Sequence, residues 1–130
     1  MFIGQVRIFT TLYRTRSRKL YLANKESTRA LIMERIAHFN QHYQVPIARV
    51  AIKNLKSRWG SCSRKGNLNF NYKLTFLPPD LRDYVIVHEL CHLKEFNHGP
   101  KFWARVAETV PNYKELVVRL RTIHKEWGIF

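Results

Sequence analysis

The chain has few of the features that mark membrane, disulfide-rich or disordered proteins. Its 130 residues include only two cysteines, Cys62 and Cys91, which form no CxxC pair and fit free thiols in a reduced compartment. No run of about 18 apolar residues occurs, so no transmembrane helix is predicted. Gln5 and Arg7 interrupt the N-terminus, which therefore lacks the long apolar segment of a secretory signal. A globular, cytoplasmic protein is expected.

Acidic residues are also scarce. The chain has 9 Asp and Glu against 23 Lys and Arg, giving a formal net charge of +14. No carboxylate precedes Glu26, and none lies between Glu34 and Asp80. Such a surface attracts phosphates or acidic partners through salt-sensitive forces. Nucleic-acid binding and a merely solvated basic surface both remain open, because charge alone carries no specificity.

The N-terminal half predicts one hairpin, one helix and two strands. Residues 5–12 and 20–23 have strand-like composition, which suggests a basic hairpin within residues 1–25. Helical periodicity runs from about Lys25 to Tyr43, after a Ser27 or Thr28 cap. Residues 47–54 suggest a strand, and residues 67–77 alternate strictly between apolar and polar side chains, which predicts a second one.

The C-terminal half predicts three helices. The first begins at Pro79 or Asp80 and continues to about Phe96, where residues 97–100 break it. The others cover residues 101–110 and the segment after Pro111. The expected fold is therefore α+β and a single domain over residues 1–130. Residues 1–25 would form the hairpin, and in residues 26–130 a small antiparallel or mixed sheet would pack on these helices.

The segment His88-Glu89-Leu90-Cys91-His92 carries the clearest chemical signal, the pattern HExxH. Histidines four residues apart on a helix lie on one face, so both imidazoles can reach a single zinc ion. Glu89 projects about 100° away around the helix, where its carboxylate can act as a base toward the attacking water. The ordinary alternative is a core helix with two histidines, but burying both without partners costs stability.

A catalytic zinc site needs a third protein ligand. His98 follows His88 by ten residues, the offset found in the metzincin pattern HExxHxxGxxH, although Glu95 occupies the glycine position. Glu95 is the rival ligand, since it lies seven residues after His88 on the same helical face. We favour His98, because a loop residue completes a tetrahedron more readily than a third residue along one helix.

Two further histidine features have simpler explanations. His38 and His42 repeat the four-residue spacing, but no glutamate stands beside His38, and a polar helix face explains the pair better than a second metal site. His124 lies near the C-terminal end of a predicted helix, where the helix dipole favours a basic residue.

The segments KSRWGSCSRKGNLNFNYKLTFLPPDLRDYVIV and HELCHLKEFNHGPKFW resemble the YgjP-like metallopeptidase family. This family is in turn distantly similar to SprT-like and other zincin proteases. The resemblance implies a zincin-like fold, His88, His92 and His98 as zinc ligands, and Glu89 as general base. It also implies that the strand of residues 67–77 lies near the cleft and pairs with extended substrate. The segment Trp59-Gly60-Ser61-Cys62 belongs to the same resemblance, but its residues suggest only a tight turn with a buried tryptophan.

The preferred hypothesis is a zinc-dependent peptidase that acts on peptide or protein substrates. Tyr113, Tyr84 and Arg82 are candidate oxyanion stabilisers on chemistry alone. One alternative is a nucleotide or phosphoester hydrolase, although no glycine-rich phosphate loop supports it. Another is a basic nucleic-acid-binding module with a structural zinc, in which Cys62 would close the site as a fourth ligand.

Overall fold

The computed structural model describes the backbone of residues 2–127 and the side chains of residues 18–127. Within that range the fold is α+β, as predicted, with four α-helices around a small sheet. In chain order the elements are α1 (Phe2–Tyr43), β1 (Arg49–Lys53), β2 (Gly60–Cys62), β3 (Asn67–Asn71), a 3-10 helix (Tyr72–Phe76), α2 (Pro79–His92), α3 (Pro100–Thr109) and α4 (Tyr113–Trp127).

The N-terminal hairpin predicted for residues 1–25 is wrong, because α1 runs without interruption from Phe2 to Tyr43. Residues 5–45 contain neither glycine nor proline, so nothing in that stretch forces a turn. The predicted Ser27 or Thr28 cap is wrong for the same reason. The Thr28 hydroxyl instead lies 2.5 Å from the Thr75 hydroxyl, which ties α1 to the 3-10 helix.

The sheet is mixed and has three strands in the order β1-β3-β2. β1 pairs with β3 in parallel, and β2 pairs with β3 antiparallel. The central strand, β3, therefore has partners on both edges, so the predicted pairing of this strand with substrate is wrong. The edge strand near the site is β2, in the segment where the sequence suggested only a turn.

The strand predicted for residues 67–77 is correct only as far as Asn71. The buried Asn71 side chain accepts a hydrogen bond from the Lys73 backbone N–H at 3.1 Å. It also donates to the carbonyls of Leu55 and Arg58, at 2.8 Å and 3.0 Å. An asparagine that bonds its own backbone two residues on favours a turn over continued pairing. The chain therefore leaves the sheet at this residue.

α2 is the central helix of the core. It is buried around most of its circumference, and its fully buried apolar side chains include Leu81, Ile86, Val87 and Leu90. A helix that is apolar on several faces is buried by its neighbours on those faces. α1 is joined to α2 by Arg35, which donates two hydrogen bonds to Asp83 at 3.0 Å and 3.1 Å. Within the described residues, no helix has the length and apolarity needed to cross a bilayer.

Candidate metal centre

Three imidazoles converge where α2 ends and α3 begins. His88 and His92 lie one turn apart at the end of α2, and His98 lies in the loop before α3. The His92 Nε2 atom is 3.1 Å from His88 Nε2 and 2.7 Å from His98 Nε2, and the third separation is 3.3 Å. Within the described residues, these side chains form the one group of three or more whose ligand atoms could hold a metal ion.

The early end of α2 brings His98 back to this cluster. The predicted helix end near Phe96 is wrong, because α2 ends at His92 and Leu93 caps it. The backbone N–H groups of Lys94 and Glu95 both donate to the Cys91 carbonyl, at 3.0 Å and 2.9 Å, a shared acceptor that is common where a helix ends. The Glu95 carbonyl then lies 3.1 Å from His92 Nδ1, close enough to accept its proton.

These hydrogen bonds orient the rings so that Nε2 is the free ligand atom. A neutral imidazole that donates from Nδ1 presents a lone pair at Nε2. His92 donates to the Glu95 carbonyl, and His88 Nδ1 lies 3.2 Å from the Tyr84 hydroxyl. Burial, together with the neighbouring His92 and His98, lowers the pKa of His88 to about 3, and burial also lowers the pKa of His92. Both rings are therefore neutral near pH 7, as metal ligands must be.

The donor set fits a zinc ion. Three lone pairs that face one another repel, and a cation between them would remove that repulsion. Ligands about 2.0–2.1 Å from a tetrahedral zinc ion lie about 3.3 Å apart, close to two of the three separations. Three protein ligands also leave one position open, as catalytic zinc sites require.

Aromatic side chains of α3 support the cluster from one side. The Phe102 ring stacks on His92, with centroids 4.4 Å apart and an interplanar angle of 26°. The Trp103 ring stacks on His98 at 6.0 Å and 26°. The sequence predicted a helix over residues 101–110 and gave neither ring a role at the site. The sequence signal that places these rings beside the cluster is their position directly after His98-Gly99-Pro100, because a proline at the start of a helix fixes where its first turn begins.

Glu89 is buried against β2, and this contact explains the glycine and the cysteine of the Trp59–Cys62 segment. A methyl group added at Gly60 would lie 3.2 Å from Glu89 Cγ and 3.2 Å from Oε2, so only glycine leaves this space free. The Cys62 thiol forms a hydrogen bond with the Glu89 carboxylate. Burial raises the pKa of Cys62 to about 11, so the thiol keeps its proton and is the donor.

Burial also raises the pKa of Glu89 to about 7, although the Arg58 charge and the Cys62 hydrogen bond both act to lower it. Its side chain is only 6% exposed. A carboxyl group with a pKa near the working pH can both accept and release a proton.

The other candidate ligands lie elsewhere. The Glu95 carboxylate and the Cys62 thiol are not in the histidine cluster, so the closed four-ligand site predicted with Cys62 is wrong. Both cysteines are free. His42 is 2.9 Å from the Glu108 carboxylate, and His38 contacts the ring of Phe39.

The three candidate oxyanion stabilisers occupy different places. Tyr84 is beside His88 Nδ1, on the side of the ring opposite Nε2. Tyr113 stacks on Trp103, with centroids 4.9 Å apart. The Nε atom of Arg82 is buried without a hydrogen-bond acceptor among the described residues. None of these contacts assigns the oxyanion role.

A pocket of about 650 Å³ opens beside the cluster. His88 and His98 form part of its lining, and α4 provides one wall. His124, predicted as a helix-end residue, belongs to this wall and also makes an edge contact with Trp59 at 6.2 Å. The site therefore combines three imidazoles, a buried carboxylate and an adjoining pocket, an arrangement suited to metal-dependent hydrolysis.

Comparisons with known proteins agree with this geometry. No curated protein matches the chain. The crystal structure of the metallopeptidase zymogen of Pyrococcus abyssi abylysin is similar, with a TM-score of 0.65 and 25% identity, over 72% of this chain and 95% of that one. Residues 7–123 match the YgjP-like metallopeptidase domain. The chain is therefore a metallopeptidase and belongs to the YgjP-like family.

Proposed function

We propose that this protein hydrolyses peptide bonds with a zinc ion held by His88, His92 and His98, and with Glu89 as general base. The observation that carries the proposal is the convergence of three Nε2 atoms within 3.3 Å of one another, one residue along α2 from a buried carboxylate. A zinc ion bound there would polarise the scissile carbonyl and increase the acidity of the attacking water.

The protein's own residues provide the proton transfers and the orientation. The Glu89 carboxylate accepts a proton from the attacking water and then donates it to the nitrogen of the leaving amine. The Cys62 thiol and the space at Gly60 hold that carboxylate in position. The Glu95 carbonyl and the Tyr84 hydroxyl keep the rings of His92 and His88 turned toward the ion.

The substrate would approach along the edge of the sheet. β2 lies at that edge and contains Gly60, which touches Glu89. An extended peptide that pairs with an exposed strand gains backbone hydrogen bonds without a sequence requirement. Its scissile bond would thus be placed beside the metal centre. Nucleic-acid binding by the basic surface stays a prediction, since the family and the similar structure are described only as metallopeptidases.

Two substitutions and one control test the proposal. Glu89→Gln should retain stoichiometric zinc and lose turnover by about 10²–10⁴-fold, because the amide cannot accept the proton. His98→Ala should lose zinc affinity and activity together. Glu95→Gln is the matched control and should retain both, because its carboxylate lies outside the cluster.

Metal content is measured by mass spectrometry and activity by cleavage of a peptide library. Undiminished cleavage by Glu89→Gln would remove this residue from the mechanism. Loss of zinc from Glu95→Gln together with retention of zinc by His98→Ala would show that the Glu95 carboxylate, and not the His98 ring, completes the metal site.

A further inference from the structure

The pocket beside the metal centre is placed to bind part of a substrate. His88 and His98 line it, so a group inside it lies next to the bond that the metal centre would act on. Its volume of about 650 Å³ is within the range of about 300–1,000 Å³ that small-molecule pockets occupy. It can therefore enclose a large side chain together with part of the neighbouring residue.

The walls are aromatic and aliphatic. Trp59 and Trp103 face the pocket from outside α4, and Val117 and Leu120 line it from α4. The two tryptophans are held by further ring contacts, Trp103 by the stacked ring of Tyr113 at 4.9 Å and Trp59 by the edge of Trp127 at 5.6 Å. A lining that is held by such packing stays open for an apolar group.

The rim is basic. Arg121 and Lys125 belong to the lining, both are exposed, and no residue of the lining is acidic. Neither cation has a carboxylate partner among the described residues. Arg119, two residues earlier on α4, differs because its guanidinium donates to Asp80 at 2.6 Å. Within the described part of the chain, therefore, no carboxylate competes with one from outside for these two cations.

We infer that this pocket binds a large apolar side chain of the peptide substrate, preferably aromatic, whose neighbouring carboxylate is held by Arg121 and Lys125. This selectivity rests on the proposed peptidase function and gives it a substrate class. The carboxylate has two sources, the side chain of an acidic residue or the free C-terminus of a peptide. The first would make the protein an endopeptidase that prefers acidic neighbours, and the second would direct it to chain ends.

Binding of short peptides to the zinc-loaded protein tests this directly, with intrinsic tryptophan fluorescence as readout, since Trp59 and Trp103 line the pocket. N-acetyl-Phe-Glu-amide should bind at least about tenfold more tightly than N-acetyl-Ala-Glu-amide, from the apolar area buried. It should bind about twofold to fivefold more tightly than N-acetyl-Phe-Gln-amide, the gain typical of an exposed ion pair. N-acetyl-phenylalanine with a free carboxylate, compared with its amide, shows whether the C-terminus can replace the acidic side chain.

Paired variants locate the binding. Val117→Phe should fill the pocket and weaken binding of the Phe peptides by about tenfold, since the same apolar area is no longer buried. Val118→Phe, at a neighbouring position that is 61% exposed, should not. The double change of Arg121→Gln and Lys125→Gln should abolish the preference for Glu over Gln. Lys114→Gln, an exposed position of α4 outside the pocket lining, is its control.

Equal binding of the Phe and Ala peptides, or equal effects of the Val117 and Val118 changes, would overturn the inference. A short oligothymidylate could bind while the peptides do not, and its binding could be weakened by the Val117 change and by the double change at Arg121 and Lys125. That result would also overturn the inference, because the pocket would then hold a nucleobase and a phosphate. Binding with the expected selectivity but without any cleavage would support the pocket and refute the peptidase proposal. The two proposals can therefore fail separately.

Discussion

Replacing Gly60 with alanine tests whether β2 positions the proposed general base. The added methyl group would lie 3.1 Å from the backbone oxygen of Asn69 and 3.2 Å from both Cγ and Oε2 of Glu89. These distances are shorter than ordinary contacts with carbon, so one of the neighbouring groups must move by a few tenths of an ångström. The Asn69 oxygen belongs to the backbone of the central strand β3. The Glu89 side chain is therefore the group that gives way.

Such a displacement should reduce both catalysis and stability. A misplacement of about 1 Å can cost about 10²-fold in rate, so a shift of a few tenths of an ångström should lower the kcat of Gly60→Ala by about threefold to tenfold. KM should change little, because the pocket and the histidines are untouched. Overpacking costs about 1–3 kcal/mol, and restricting the unfolded chain returns about 0.4–1 kcal/mol, so the net loss of stability is at most about 2.6 kcal/mol.

The assay compares Gly60→Ala with Gly99→Ala. Gly99 adjoins His98, but a methyl group there meets no atom within 4 Å beyond its two chain neighbours. Steady-state peptide hydrolysis gives kcat and KM, mass spectrometry gives zinc content, and thermal unfolding gives stability. Wild-type kcat in Gly60→Ala would refute the reasoning. Equal losses in the two variants would also refute it, because the effect would then not depend on contact with Glu89.

Three further predictions concern the thiol, a turn and a surface ion pair. Cys62→Val removes the hydrogen bond to Glu89 and should lower kcat several-fold, whereas Cys62→Ser should retain most of the wild-type kcat. Peptide hydrolysis at saturating substrate checks this, and an unchanged kcat in the valine variant would contradict it. Gly66→Ala should lower the free energy of unfolding by about 1 kcal/mol or more, because the φ of 87° at Gly66 strains any side chain. The kcat of the folded protein should stay unchanged, and urea unfolding together with peptide hydrolysis would show both effects. Arg119 holds the pKa of Asp80 below its ordinary value. The pair therefore stabilises the fold at every pH above the ordinary aspartate pKa, and this contribution is lost as the pH falls through the depressed pKa. Asp80→Asn should therefore lower stability near neutral pH but not in strong acid, and a deficit independent of pH would contradict this account.

Local sequence determined the features that depend on neighbouring residues. His88 and His92 share a face because a helix repeats every 3.6 residues, and no tertiary contact is needed for that. Prolines at 79, 100 and 111 mark the starts of the last three helices closely, because proline favours a first turn and cannot continue one. The N-terminal hairpin failed for the complementary reason. Apolar β-branched and aromatic residues without a turn signal fit a helix as well as a strand, and packing decides between them.

Tertiary structure alone decided what meets the reactive side chains. Gly60 and Cys62 precede Glu89 by 29 and 27 residues, and no periodicity in the sequence relates positions so far apart. Their contact with the carboxylate depends on how β2 packs against α2. The pocket likewise combines residues from Trp59 to Lys125, which only the packed helices bring together. The sequence by itself thus determined the paired imidazoles of α2, and folding determined how Glu89 is held and what lies beside the metal centre, since packing of distant segments sets those distances.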